Sequence, residues 1–224
     1  DFFFSESVVE EWCRRRDTEQ PSSFRRRVGV LREFSKYLYA LNAIDFMIPT
    51  DIFPVPQRYT PYIFSDKELE ALFKRSDLES YHHKAPAKHL IIPVIYRLIY
   101  LCGLRPNEGR ELRKEEVNLE AGTLFIRKNK SHRERLIPMA DDVVEMCKIY
   151  QRKLLLVYPE SEYFFPSPSG KKYSACWLTQ QFLRIWNESK APENTSRVRV
   201  YDLRHRYATT VFSRWLEERE ELYT

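Results

Sequence analysis

"LIIPVIYRLIYLCGLRPNEGREL", residues 90–112, joins two helical segments through a glycine and a proline. The apolar run before the glycine has the length and composition of a buried helix. Gly103 can end that helix as the residue after its C-cap, and Pro106 suits the first turn of the next helix. The pattern therefore predicts that Arg105 lies at a tight junction between two helices and not within either of them.

Regular elements are predicted on both sides of this junction. Ser65 followed three residues later by Glu68 is a capping box, which marks the start of a helix. Two short β-prone runs, 123–127 and 135–137, flank a polar, basic tip and indicate a hairpin. Apolar stripes at helical spacing run through residues 8–12 and 28–41, and further helices are predicted over 141–157 and 175–189. The predicted fold class is mainly α with a small antiparallel β-sheet.

Basic charge is concentrated near the start of the chain. The net charge of the 224 residues is +5. The segment from Trp12 to Lys36 holds eight basic and three acidic residues, a surplus as large as that of the whole chain. Ser22 and Ser23 are candidate caps for a helix whose first turns hold Arg25, Arg26 and Arg27. Cations at a helix N-terminus oppose the macrodipole, so phosphate contact would explain the triplet, and a merely solvated basic face is the alternative.

The remaining composition excludes several classes of protein. A hydrophobic content of 43% can build a core, which excludes wholesale disorder. No apolar stretch reaches membrane-spanning length. The four cysteines stand far apart, which indicates free thiols in a reducing compartment and not a disulfide framework. The histidines between residues 82 and 89 lack partners at ligand spacing, so no metal and no cofactor is predicted.

Two further motifs accompany the Arg105 junction. "FIRKNKSHRERLIPM", residues 125–139, places Lys130 eight residues before a proline, and "YDLRHRYATT", residues 201–210, contains Arg204 and His205. In this order the three motifs resemble those of the tyrosine recombinase, or phage integrase, family. Its first box is Gly-x-Arg with an acidic residue three positions on, here Glu108. Its hairpin carries a lysine, and its second box reads His-x-Leu-Arg-His.

The resemblance implies a two-domain protein with the tyrosine-recombinase catalytic fold. Residues 1–57 would form part of a helical core-binding domain and the start of a linker, and residues 58–224 the catalytic domain. Four prolines between residues 49 and 61 fit a stiff linker. The family places a Gly-His box and the attacking tyrosine beyond the second arginine. Tyr223 comes too early for that position, so the nucleophile is expected beyond Thr224.

The resemblance also implies the chemistry. Such a recombinase cuts and rejoins DNA strands at specific sites through a covalent 3′-phosphotyrosyl intermediate, without metal, as a homotetramer on two DNA sites. Arg105 and Arg204 would clamp the phosphate, because guanidinium groups are planar and permanently charged. Lys130 would protonate the leaving oxygen. Glu108 and His205 would support the arginines. Burial of three apolar residues after the second box is further expected to fix Arg204: Ala208, Val211 and Phe212.

Contacts with double-stranded DNA are predicted outside this catalytic set. Lys128 competes with Lys130 for the role of acid, and the spacing to Pro138 favours Lys130. Lys128 would then contact backbone phosphates together with Arg127, Arg133 and the triplet at 25–27. A DNA partner and the absence of a membrane partner imply a cytoplasmic, nucleoid-associated protein.

Tyr201 departs from the family pattern, which has histidine at this position. A phenol can donate a hydrogen bond to phosphate, but its usual pKa of about 10 makes it a poor base at neutral pH. Tyr201 is therefore included in the catalytic set as a phosphate donor. The departure keeps an alternative open, a recombinase-like DNA-binding protein with an architectural or regulatory role. A relative of type IB topoisomerases is a weaker alternative, because the basic helical segment and linker fit recombinases better.

Overall fold

The computed structural model describes residues 4–49, 59–127, 134–191 and 194–221. The chain divides into two compact units, Asp1–Thr60 and Pro61–Thr224. The described elements are helices and one small sheet, which confirms the mainly α fold class.

The first unit contains two helices, α1 (Glu6–Cys13) and α2 (Pro21–Ala40). A small core of four buried residues holds them together: Val9, Phe24, Val28 and Ile48. The predicted serine cap of α2 is wrong, because Gln20 is the N-cap and Pro21 the first helical residue. Proline is suited to that position because the first N–H of a helix has no partner within the helix. Of the stripe predicted over 28–41, Val28 is buried, whereas Phe34 and Leu41 are exposed.

The second unit contains the remaining elements, with the three strands of the sheet between its third and fourth helices. They are α3 (Asp66–Asp77), α4 (Lys88–Leu101), α5 (Pro106–Glu111), a 3-10 turn (Lys114–Glu116), β1 (Val117–Asn118), β2 (Thr123–Ile126), β3 (Arg135–Pro138), α6 (Asp141–Leu155), α7 (Ala175–Ser189) and α8 (Val200–Glu221).

Helix α4 lies at the centre of this unit. Its residues Ile91, Ile95 and Ile99 are fully buried, and the surrounding core includes Phe182 of α7 and Leu203 of α8. An all-round apolar helix gains its stability from such burial, since about 25 cal/mol is gained for each Å² of apolar surface removed from water. The central position of α4 fixes the turn at its C-terminal end, where Arg105 follows.

The sheet is antiparallel, with strand order β1-β2-β3. The predicted hairpin is confirmed, and its register pairs Thr123 with Pro138 and Ile126 with Arg135. Arg135 is therefore the first residue of the hairpin after its tip. Strand β1 was not predicted, because two residues are too few to show an alternating pattern.

The capping predictions at Ser65 and Gly103 are confirmed. Ser65 donates its main-chain N–H to the Glu68 carboxylate at 2.8 Å, and the Ser65 hydroxyl accepts the Glu68 N–H at 3.3 Å. Gly103 has a φ of +58°, and the next N–H, that of Leu104, returns to the Ile99 carbonyl at 3.0 Å. This is the Schellman arrangement, in which glycine adopts the left-handed conformation without a steric penalty.

The four cysteines are unpaired and differ in exposure. Cys102 and Cys147 are buried, Cys13 is half-buried and Cys176 is exposed. Burial raises the pKa of both Cys102 and Cys147 to about 12, which keeps these two thiols protonated.

Within the described residues, every helix falls short of the length and apolar character that a membrane span requires.

Candidate active site

Arg105 lies at the junction between α4 and α5, as the sequence predicted. It is the N-cap of α5, with extended backbone angles of φ −68° and ψ 146°. Pro106 favours this geometry, because a proline disfavours the helical conformation in the residue before it. The Arg105 main-chain N–H donates to Oε2 of Glu108 at 2.7 Å, and its guanidinium Nη1 donates to Oε1 at 2.9 Å. At the start of this short helix, Glu108 therefore fixes both the main chain and the guanidinium group of Arg105.

Glu108 is the buried acidic residue of this junction, with a side chain only 4% exposed. Besides its bonds to Arg105, it accepts two hydrogen bonds from Arg135, from Nη1 at 2.9 Å and from Nη2 at 2.6 Å. Burial acts to raise the pKa of Glu108, but the hydrogen bonds from Arg135 and Arg105 outweigh it and hold the pKa below its usual value. The carboxylate is therefore ionised at neutral pH and fixed between two guanidinium groups.

Arg204 reaches the same junction from the first turn of α8. Its Nη1 donates to the main-chain carbonyl of Gly103, two residues before Arg105. The turn is held in place by the fully buried Leu203. Among the residues that the structure describes, Arg204 forms no ion pair with a carboxylate. Its guanidinium is thus held at this corner by a neutral carbonyl group.

Gly103 permits this close approach of α8. A Cβ atom built on Gly103 would lie 2.4 Å from Cδ1 of Tyr207, which is one turn beyond Arg204. No other residue type can occupy this position without moving the tyrosine ring. The left-handed conformation and the contact with α8 thus both require glycine.

The expected burial after the second box is wrong. Ala208 is exposed, and Val211 and Phe212 are 47% and 59% exposed. These residues lie beyond the part of α8 that packs on the core. Leu203 and the Gly103 carbonyl hold Arg204 instead.

Tyr201 and His205 lie beside the two arginines on α8. Tyr201 lies close enough to the Arg105 guanidinium to affect its pKa. The pKa of Arg105 is raised above its usual value, first by its hydrogen bond with Glu108 and further by the nearby Tyr201 hydroxyl. The Tyr201 and His205 rings are 5.0 Å apart, and His205 is half-buried. The structure thus brings together four of the predicted site residues, Arg105, Arg204, Tyr201 and His205, with Glu108 beneath them.

Such a corner is suited to binding an oxyanion. Two guanidinium groups and a phenol meet at one turn, on two elements whose positions are set by buried residues, so little reorganisation would be needed when an anion binds. Guanidinium groups also remain charged at every physiological pH.

The sequence model of the phage integrase family matches residues 63–216, well over half of the chain. The chain belongs to the phage integrase family. Tyrosine recombinase XerD of Pseudomonas putida is 31% identical over 199 residues, which cover 85% of this chain and 62% of XerD. Tyrosine recombinase XerC of Staphylococcus aureus is 24% identical over 193 residues, which cover 84% of this chain and 60% of XerC. The chain spans about three fifths of the length of these two relatives.

Solved structures of recombinases have the same fold. A XerH site-specific recombinase bound to its difH substrate superposes with a TM-score of 0.69 at 19% identity, covering 94% of this chain and 60% of XerH. A lambda integrase tetramer bound to a Holliday junction gives a TM-score of 0.61 at 15% identity, covering 91% of this chain and 57% of the integrase chain. The predicted tyrosine-recombinase fold is thereby confirmed.

In this family member the basic triplet of α2 divides into two kinds of residue. Arg27 donates to both Glu19 carboxylate oxygens, at 2.8 and 2.7 Å, and lies 4.6 Å above the Trp12 ring. The hydrogen bond from Arg27 lowers the pKa of Glu19 to about 2. Arg27 thus has a structural role inside the first unit. Arg25 and Arg26 are exposed and remain candidate DNA contacts.

The structure describes only part of the hairpin tip. Arg127, at the end of β2, is half exposed and lies 3.2 Å from the Glu115 carboxylate. Lys128, Lys130 and Arg133 lie outside the described residues, and their roles stay predictions. Tyr223 also lies outside them.

Arg135 is the site residue that sequence reasoning missed. The sequence predicts it only as the start of a β-prone run. No local pattern links it to Glu108, which lies 27 positions earlier, and the hairpin register alone brings the two together.

In the described part of the chain, no three His, Cys, Asp or Glu side chains group at metal-binding distance.

Proposed function

We propose that this chain forms the phosphate-binding centre of a site-specific DNA recombinase that cuts and rejoins strands through a covalent 3′-phosphotyrosyl intermediate. The observation that carries the proposal is the meeting of two boxes about one hundred residues apart. Arg204 donates to the carbonyl of Gly103, two residues before Arg105, and Tyr201 of the same helix lies beside the Arg105 guanidinium. Membership of the phage integrase family supports the same assignment.

In the proposed reaction, a tyrosine oxygen attacks phosphorus and releases its proton to water, while the bond from phosphorus to the 5′ oxygen breaks. The two arginines neutralise negative charge on the non-bridging oxygens, which increases in the transition state. The Tyr201 hydroxyl, which lies beside the Arg105 guanidinium, donates its hydrogen to a phosphate oxygen. His205 supports this donor from the next turn. The predicted acid, Lys130, transfers a proton to the departing 5′ oxygen. Rejoining runs the same steps in reverse.

Double-stranded DNA is the proposed partner. Arg25, Arg26 and Arg127 are exposed arginines that would contact backbone phosphates, which position a protein on DNA without reading sequence. We further propose a homotetramer acting on two DNA sites. The lambda integrase structure of the same fold is a tetramer on a Holliday junction.

The test uses the protein expressed from its complete reading frame and a pool of nicked suicide duplexes of randomised sequence. Covalent adducts that survive denaturation are counted for the unsubstituted protein, for Arg105→Ala and for Arg204→Ala. Both substitutions should abolish adducts, because loss of one oxyanion donor typically costs about 100- to 1000-fold in rate. Duplex affinity should change only a few-fold. Arg152→Ala, which removes an exposed arginine of α6, is the charge-matched control and should behave like the unsubstituted protein.

Normal adduct formation in either site variant would overturn the proposal. The presence of Tyr201 where the family has histidine favours a second candidate, a DNA-binding protein without strand cleavage. Duplex binding by the unsubstituted protein with no adduct on any substrate would establish that candidate instead.

A further inference from the structure

The Glu108 carboxylate is shared unequally between two arginines. Arg135 binds both of its oxygens, one with each terminal nitrogen, at 2.9 and 2.6 Å. The Arg105 side chain binds only one oxygen, at 2.9 Å. A bidentate arginine–carboxylate pair is the stronger and more directional arrangement. Arg135 therefore forms the two-bond arrangement with Glu108 that Arg105 would otherwise form, since Glu108 is the third residue of the helix that Arg105 caps.

The charge balance depends on this sharing. Two guanidinium groups and one carboxylate give this cluster a net charge of +1, at the junction that Arg204 also reaches. The Arg105 and Arg135 side chains are 33% and 29% exposed, whereas Glu108 is almost completely covered. Without Arg135, the carboxylate would neutralise Arg105 alone, and the corner would lose part of its attraction for an anion.

Arg135 also connects two parts of the site. It is the first residue of β3, directly after the hairpin tip that carries the predicted acid. Glu108 is in the first turn of α5. The double hydrogen bond therefore attaches the base of the hairpin to the turn that holds Arg105.

We propose that Arg135 is a positioning residue for the phosphate clamp, which rests on the proposed function. By holding both oxygens of Glu108, it prevents the Arg105 side chain from forming a second bond to that carboxylate and leaves the remaining Arg105 N–H groups for the phosphate. It also fixes the base of the hairpin relative to the clamp. Arg135 itself does not contact the reacting atoms in this assignment.

The first experiment measures adduct formation on the same nicked duplexes. Arg135→Ala should slow it by about 100-fold, the effect of a displacement of about 1 Å in a reacting group. Duplex affinity should stay within about threefold, because phosphate contacts elsewhere are retained. Arg135→Lys keeps the charge but lacks the planar fork, so it should restore only part of the rate. Arg152→Ala again controls for the loss of one positive charge.

The decisive comparison adds Glu108→Gln. A neutral amide cannot form an ion pair with Arg105, so Arg135→Ala should have little further effect in a Glu108→Gln background. Equal slowing in both backgrounds would overturn the inference, since a purely structural role of Arg135 gives that result. An unchanged rate in Arg135→Ala would overturn it as well.

A second measurement needs no DNA and separates this inference from the proposed function. NMR of the arginine side chains in the 224-residue chain reports how Arg105 is bonded. In Arg135→Ala, the Arg105 Nη signals should separate and sharpen, because a second bond to Glu108 slows rotation of the guanidinium. Unchanged Arg105 signals would overturn the inference. Absence of adducts with the unsubstituted protein would overturn the proposed function alone, and this NMR comparison would then decide the role of Arg135.

Discussion

Substitution of Gly103 by alanine tests how α8 is held against the Arg105 junction. The φ of +58° at this position costs a residue with a Cβ atom about 1–2 kcal/mol. The new Cβ would lie 2.4 Å from Cδ1 and 2.5 Å from Cε1 of the Tyr207 ring. Displacing that ring adds the cost of overpacking, about 1–3 kcal/mol. We therefore expect Gly103→Ala to lower the free energy of unfolding by about 2–5 kcal/mol.

Gly170 provides the matched control. Its φ is +75°, and no atom lies within 4 Å of a Cβ built on it. Gly170→Ala should cost only the backbone part, about 1–2 kcal/mol. Urea unfolding followed by circular dichroism measures both variants, with the slope checked for constancy. In a Tyr207→Ala background the extra cost at Gly103 should disappear. Equal costs for the two glycine substitutions would refute the contact between Gly103 and Tyr207.

Three other substitutions or treatments examine separate features. The double substitution Arg25→Ala with Arg26→Ala should reduce the slope of log affinity for duplex DNA against log salt by about 2, because about 0.9 is lost per phosphate contact. Its stability should be unchanged. Arg27→Ala should instead destabilise the first unit, as measured by urea unfolding. A thiol reagent added to the native protein should modify Cys176 first, because the two buried thiols are kept protonated. Cys176→Ser should remove this fast phase of modification. Equal rates at all thiols would contradict the burial of Cys102 and Cys147. The hydrogen bond from Arg27 lowers the pKa of Glu19 to about 2. The stabilising contribution of this pair is therefore complete above the unfolded pKa of Glu19, about 4.3, and is lost as pH falls towards 2. The Trp12 indole NMR signal should move over that pH range and should not move in Glu19→Gln.

Local patterns predicted much of the second unit correctly. The capping box at Ser65, the glycine end of α4 and the proline start of α5 depend on backbone geometry within a few residues, and such geometry is encoded in neighbouring residue types. The hairpin was predicted for the same reason. The start of α2 was predicted wrongly because Pro21 and the two serines after it all favour a helix start, and the helix begins at the proline.

The amino-acid sequence by itself determined the helical and hairpin segments, the position of Arg105 at a junction and the three motifs of the phage integrase family. Only the tertiary structure decided which charges meet. Arg135 binds Glu108, Arg27 binds Glu19, and the apolar residues after the second box stay exposed. Hydrogen bonds between distant residues depend on how whole elements pack, and side-chain periodicity within one element carries no information about that packing.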